Sequence, residues 1–234
     1  MASHPLRTIH TQALDFWFAR SSVVVIVALQ ALIINKLTLG PRWLAPALET
    51  ALLVPLSFVT AWTQSQAREA TADHHWVTVA RLRRSIRGMA VALTFLVTVM
   101  NFVSLLYLVK ALLGGHAKSS GQSLLLDALN IWATNVIAFA LWYWNIDRGG
   151  PAAKGLTQVD KDDFLFPQMT IPQCESWSPG FIDYLYISFT NATAFSPTDT
   201  LPLSRRAKVL MAAEAGISLL TIALVAARAV NILS

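Results

Sequence analysis

The stretch FIDYLYISFTNATAF, residues 181–195, decides how the chain is read. As a helix rising ~1.5 Å per residue it would reach only about 22 Å, short of the ~30 Å hydrocarbon core of a bilayer. It is nevertheless too apolar for an ordinary loop. SWSPG before it and SPTDTLP after it supply breaks on both sides. Two placements fit: a re-entrant helix that enters the membrane and turns back, or an interfacial helix lying flat. Non-helical backbone at membrane depth survives only where protein or a water-filled cavity covers it.

The rest of the chain supplies the membrane. Its 234 residues are 55% hydrophobic and only 13% charged, against roughly 45–50% and about 25% for soluble domains. Apolar stretches of about 18 residues mark transmembrane candidates, and five are expected here: 14–35, 43–62, 88–113, 124–144 and 209–233. No small-residue cleavage site follows the first, so it reads as a retained anchor. The second carries Pro46, Glu49 and Pro55, tolerated where neighbours satisfy the freed carbonyls. The expected fold is an all-α membrane bundle, one domain over 1–234, with helices in 14–113 and a helix, short helix, helix unit in 124–233.

Basic residues orient it. Thirteen Lys and Arg fall in 1–20, 63–87 and 145–208, against three in 36–42 and 114–123. The positive-inside rule places the N-terminus and the first set in the cytoplasm and the C-terminus outside. The net charge of +5 therefore reports topology, not nucleic-acid binding. The single cysteine, Cys174, excludes an internal disulfide framework and a thiolate metal cluster.

Ionisable residues inside membrane helices are costly and point to function first. In the fourth helix Asp127, Asn130 and Thr134 share a face, with Asn135 beside it. In the last, Glu214, Ser218, Thr221 and Arg228 do the same. Facing each other, the two helices make a polar seam that meets the 193–199 turn at its inner end. Asp127 and Arg228 both lie toward the outer end, where they can pair. The seam is either a conduction path or interhelical packing glue of about 0.6–2 kcal/mol per contact. His74 and His75 read as part of a solvated loop, and DKDDFLFP (160–167) as a solvated charge run. No nucleophile–base arrangement, phosphate loop or dinucleotide fingerprint is present, so neither an enzyme nor a cofactor is expected.

The motif NATAFSPTDTLP resembles the pore unit of potassium-channel-type proteins. Ala192 and Thr193 are followed by five residues, then Asp199, two more and Pro202, and Gly216 sits where such channels often carry a hinge glycine. The filter glycines are replaced by Ser196 and Thr198 around Pro197, whose ring locks its φ, so potassium selectivity is not expected. The loop also dips from the inside, as glutamate-receptor pores do. Over nearly its whole length the chain is similar to a family of uncharacterised bacterial five-helix integral membrane proteins, through VARLRRSIR, FALWYWNID, FIDYLYISFTNATAFSPTDTLPLSRRAK and AVNIL. That resemblance implies the bacterial inner membrane and is silent about activity. Two functions follow as expectations. One is an oligomeric pathway for inorganic ions, tetrameric if channel-like, lined by Thr193, Ser196, Thr198, Asp199, Glu214 and Ser218. The other is a non-conducting scaffold or accessory protein.

Overall fold

The structure is a computed structural model. It describes residues 13–32, 73–113, 121–147, 162–174, 177–193 and 199–233, together with 47, 50, 51 and 54; for 13–16, 30–32, 73–84, 86, 113, 121–123 and 228–233 it describes the backbone alone. The described chain is mostly helical: α1 (Ala13–Leu32), α2 (Asp73–Leu113), α3 (Gly121–Ile146), α4 (Phe181–Thr193) and α5 (Arg205–Leu233). Two short strands, β1 (Phe164–Leu165) and β2 (Leu201–Pro202), pair antiparallel. Among the described residues three helical stretches are long and apolar enough to cross a membrane: Arg87–Leu112, Leu124–Ile146 and Arg205–Ala227. The apolar part of α1, Trp17–Leu29, is shorter. Of the expected 43–62 helix only Ala47, Thr50, Ala51 and Val54 are described, and all four are helical.

One expectation is corrected. The basic segment before residue 88 was read as a loop, but α2 begins at Asp73 and runs for 41 residues, about 60 Å at ~1.5 Å per residue. Between Asp73 and Gly88 there is neither proline nor glycine, and Arg, Leu and Ala are good helix formers. His74 and His75 therefore sit on helical backbone.

Helix ends follow local chemistry. Gly180 begins α4, and Asp183 reaches back to accept its N–H at 2.7 Å, one arm of a capping box. Ser204 begins α5, and its Oγ accepts the Ala207 N–H at 3.1 Å, satisfying a donor the first turn would otherwise orphan.

α3 is the axis of the bundle, packing against each of the other four helices. Two-thirds of its span window is buried (67%), against 17% for α5. α2 docks on it through polar contacts: Asn101 Nδ2 donates to the Ile131 carbonyl at 3.1 Å and Trp142 Nε1 to Thr98 Oγ1 at 2.9 Å. One apolar core, around Leu105, Leu108, Leu124, Ala128 and Ile131, lies at the N-terminal half of α3. The larger core lies at its C-terminal half and is aromatic. There Phe164 packs edge-on to Tyr143 (5.2 Å) and Tyr184 (6.3 Å), and Phe166 to Tyr184 (5.5 Å). Such pairs add about 0.5–1.5 kcal/mol each beyond area burial.

Candidate functional site

The polar residues of α3, α4 and α5 converge on one carboxyl group. Glu214 on α5 is 0% exposed. Its Oε2 accepts the Tyr143 hydroxyl from α3 at 2.5 Å and Asn191 Nδ2 from α4 at 2.7 Å. Its Oε1 is hydrogen-bonded to Ser188 Oγ of α4. Ser188 Oγ also reaches the Val136 carbonyl on α3 at 2.6 Å. One turn along α5, Ser218 Oγ accepts Asn135 Nδ2 at 2.9 Å, and the same amide reaches the Glu214 carbonyl at 3.4 Å. Asn191 Nδ2 additionally donates to the Met211 carbonyl at 2.9 Å. Among the described residues the cluster is neutral apart from Glu214 itself.

Helical spacing makes this possible. Glu214, Ser218 and Thr221 are the buried polar residues of α5 and stand at i, i+4 and i+7. On α4 the buried face is Phe181, Tyr184, Ile187, Ser188 and Ala192, which turns Ser188 inward. The opposite face exposes Ile182, Tyr186 and Phe189, an apolar stripe at i, i+4 and i+7. On α3, Asp127, Asn130, Thr134 and Asn135 are all buried. Asn130 Oδ1 is enclosed without a hydrogen-bond partner.

The structure thus brings Glu214 and Ser218 together and leaves Thr193 and Asp199 out of the cluster's hydrogen bonds. Thr193 is half-buried, and its Oγ1 donates to the Thr190 carbonyl at 3.1 Å, a contact within its own helix. Asp199 is exposed. Ser196 and Thr198 lie outside the described residues, as does the side chain of Arg228, so its pairing with the buried Asp127 falls there too.

A second buried carboxyl system closes the C-terminal end of α3. Asp147 Oδ1 accepts the N–H groups of Asp163 (2.7 Å) and Phe164 (3.3 Å), and Oδ2 accepts the Tyr184 hydroxyl at 2.5 Å. Asp163 is held bidentately by Arg206, Nε at 2.7 Å and a terminal nitrogen at 2.5 Å. The Leu203 N–H donates to the Asp163 carbonyl at 2.8 Å, and Arg206 also reaches the Ile146 carbonyl at 3.3 Å. The expectation of a solvated charge run is corrected at one residue: Asp162 is exposed, but Asp163 is 1% exposed while its partner Arg206 is 53% exposed. An aspartate next to two aromatic residues in FLF is pulled in with them, and a basic helix start meets it.

Sequence reasoning missed Tyr143, Ser188, Asn191, Asp147, Asp163 and Arg206 as site residues. A signal for two of them was present. Tyr184, Ser188 and Asn191 are polar interruptions of an apolar run at i, i+4 and i+7, the spacing of one helical face. No signal in the sequence pairs Asp163 with Arg206 across 43 residues.

Among the described residues no three His, Cys, Asp or Glu side chains gather as a metal site. No family model, curated protein or solved structure matches the chain. Fold and site define a helical protein with helices long and apolar enough to cross a membrane and a buried polar cluster around one carboxyl group.

Proposed function

We propose that this is a multi-pass inner-membrane protein that conducts an ion along the seam between α3 and α5, with α4 as a re-entrant helix covering its inner half. The observation that carries the reading is Glu214: a carboxyl group with no exposure, gripped by side chains from two other helices, inside a span. Such a residue is retained in a membrane against a substantial cost, which makes function its default explanation.

Contacts support the re-entrant course of α4. Phe181 meets Trp144 at the end of α3, ring centroids 5.5 Å apart. Phe189 meets Trp132, twelve residues back along α3, about 18 Å by helical rise. Leu201 and Pro202 then pair with β1, and Arg206 reaches Ile146, so the chain returns to the end it left. With α1 and the 43–62 segment as further spans, the count is five, N-terminus inside and C-terminus outside. In a four-fold assembly of channel type, Glu214, enclosed within one chain, stands off the shared axis.

The second reading is a non-conducting scaffold, and one observation favours it: both Glu214 oxygens find partners within the chain. Flux of protons, sodium and potassium into liposomes carrying the purified protein separates the two. Pathway conduction is expected to fall at least tenfold in Glu214→Gln with yield and elution profile unchanged. Wild-type protein at background for every ion leaves the scaffold.

A further inference from the structure

We propose that the ligand of the Glu214 site is a proton, carried on Oε1 and held by a hydrogen-bond relay through Ser188 to the Val136 carbonyl. Counting hydrogens points to it. Ser188 Oγ lies within hydrogen-bonding reach of both the Val136 carbonyl and Glu214 Oε1, and a hydroxyl brings one hydrogen. The carbonyl brings none. If Glu214 were a carboxylate it would bring none either, and one of the two close oxygen–oxygen contacts would be bare and repulsive. A proton on Oε1 satisfies both: Oε1–H donates to Ser188 Oγ, and the Ser188 hydroxyl donates to Val136.

The other oxygen is the acceptor. Oε2 receives the Tyr143 hydroxyl and Asn191 Nδ2. The orientation of the Asn191 amide is fixed because the same nitrogen donates to the Met211 carbonyl, which only accepts.

Nothing described offers a compensating cation. The residues hydrogen-bonded to the carboxyl group are Tyr143 from α3 and Ser188 and Asn191 from α4, all uncharged at neutral pH. On α5 itself Arg206 is engaged by Asp163 and Lys208 is exposed. On α1, Arg20 lies over the Trp17 ring at 5.4 Å, and on α2, Lys110 is exposed. An unpaired buried carboxylate costs several kcal/mol even after relaxation, and accepting a proton removes that cost. A metal cation fits poorly for a different reason. Tyr143 and Asn191 aim O–H and N–H hydrogens at Glu214 Oε2, whereas hard cations are held by shells of oxygen acceptors.

That the bound proton is also the ion moved rests on the pathway reading above. The test is infrared spectroscopy of the full chain in lipid nanodiscs at neutral pH, in water and in heavy water. The expected result is a protonated-carboxyl C=O band that shifts down in heavy water, disappears in Glu214→Gln and shifts up in Ser188→Ala, where the proton loses its acceptor. The serine variant keeps the test decisive if the glutamine variant does not fold. Absence of the band, or its survival unshifted in both variants, overturns the proposal. Its loss on raising sodium or potassium chloride overturns it too, by making the ligand a metal cation. Proton flux that vanishes together with the band in Glu214→Gln supports both readings. Liposomes silent toward every ion, with the band behaving as expected, leave the bound proton standing and remove the pathway.

Discussion

Two buried carboxyl systems in this bundle solve the same problem in opposite ways. At the end of α3, Asp147 and Asp163 accept from donors: two backbone N–H groups and a tyrosine hydroxyl for one, the fork of Arg206 for the other. Every hydrogen points at them, and a half-exposed guanidinium supplies the opposite charge. That is a donor-rich environment with a charge partner at hand. Some two turns deeper, Glu214 has no cation among the described residues, and one of its contacts, Ser188, has a competing claim on its single hydrogen. That is the environment of a neutral acid. Burial alone therefore does not define a carboxyl group's role; the arithmetic of donors around it does.

The contrast can be broken by experiment. Asp147→Ala should do most damage, stranding two backbone N–H groups and a tyrosine hydroxyl in the core. At about 1–3 kcal/mol for each buried donor left without a partner, we expect a loss on the order of 4 kcal/mol, read as a large fall in the thermal midpoint in detergent. Asp163→Asn keeps the shape but removes the charge that Arg206 grips. A cost of about 2–3 kcal/mol is expected, less than the ~3–5 kcal/mol for breaking a fully buried pair because the arginine can turn to water. Glu214→Gln should cost least, under about 1 kcal/mol. The amide NH2 takes the place of Oε1–H toward Ser188, and the amide oxygen still accepts from Tyr143 and Asn191. A stability loss in Glu214→Gln equal to that of Asp163→Asn would show the two systems to be alike and dissolve the contrast.

How much of this was legible in the sequence depended on which physical code each feature uses. Hydropathy and length set out the spans 88–113, 124–144 and 209–233, and helices able to cross a membrane stand there. Glu214 and Ser218 were found because an acid or hydroxyl in an apolar helix stands out, and their helical spacing gave the shared face. The extension of α2 to Asp73 was missed because charge was taken as a loop signal, although arginine is a good helix former. The fate of Asp163 was missed because its partner lies far along the chain, and only the β1–β2 pairing brings Arg206 to it. Ser188 and Asn191 were in view as residues but not as ligands of Glu214. Their role depends on α4 crossing α3, which no local pattern specifies.

α5 shows what the Glu214 cluster does for the bundle as a whole. With 17% of its span window buried, most of its circumference offers leucine, isoleucine, valine and alanine to the surroundings. In lipid those faces are interchangeable, since the acyl chains are as apolar as the side chains and give no preference for one rotation over another. A smooth apolar rod could turn about its own axis or slide by a residue with little penalty. Glu214 and Ser218 remove that freedom, because rotation by one residue, about 100°, would carry both away from Asn135, Tyr143, Ser188 and Asn191 and into hydrocarbon. The polar residues thus act as an address more than as an adhesive: they specify which face of α5 is its inside.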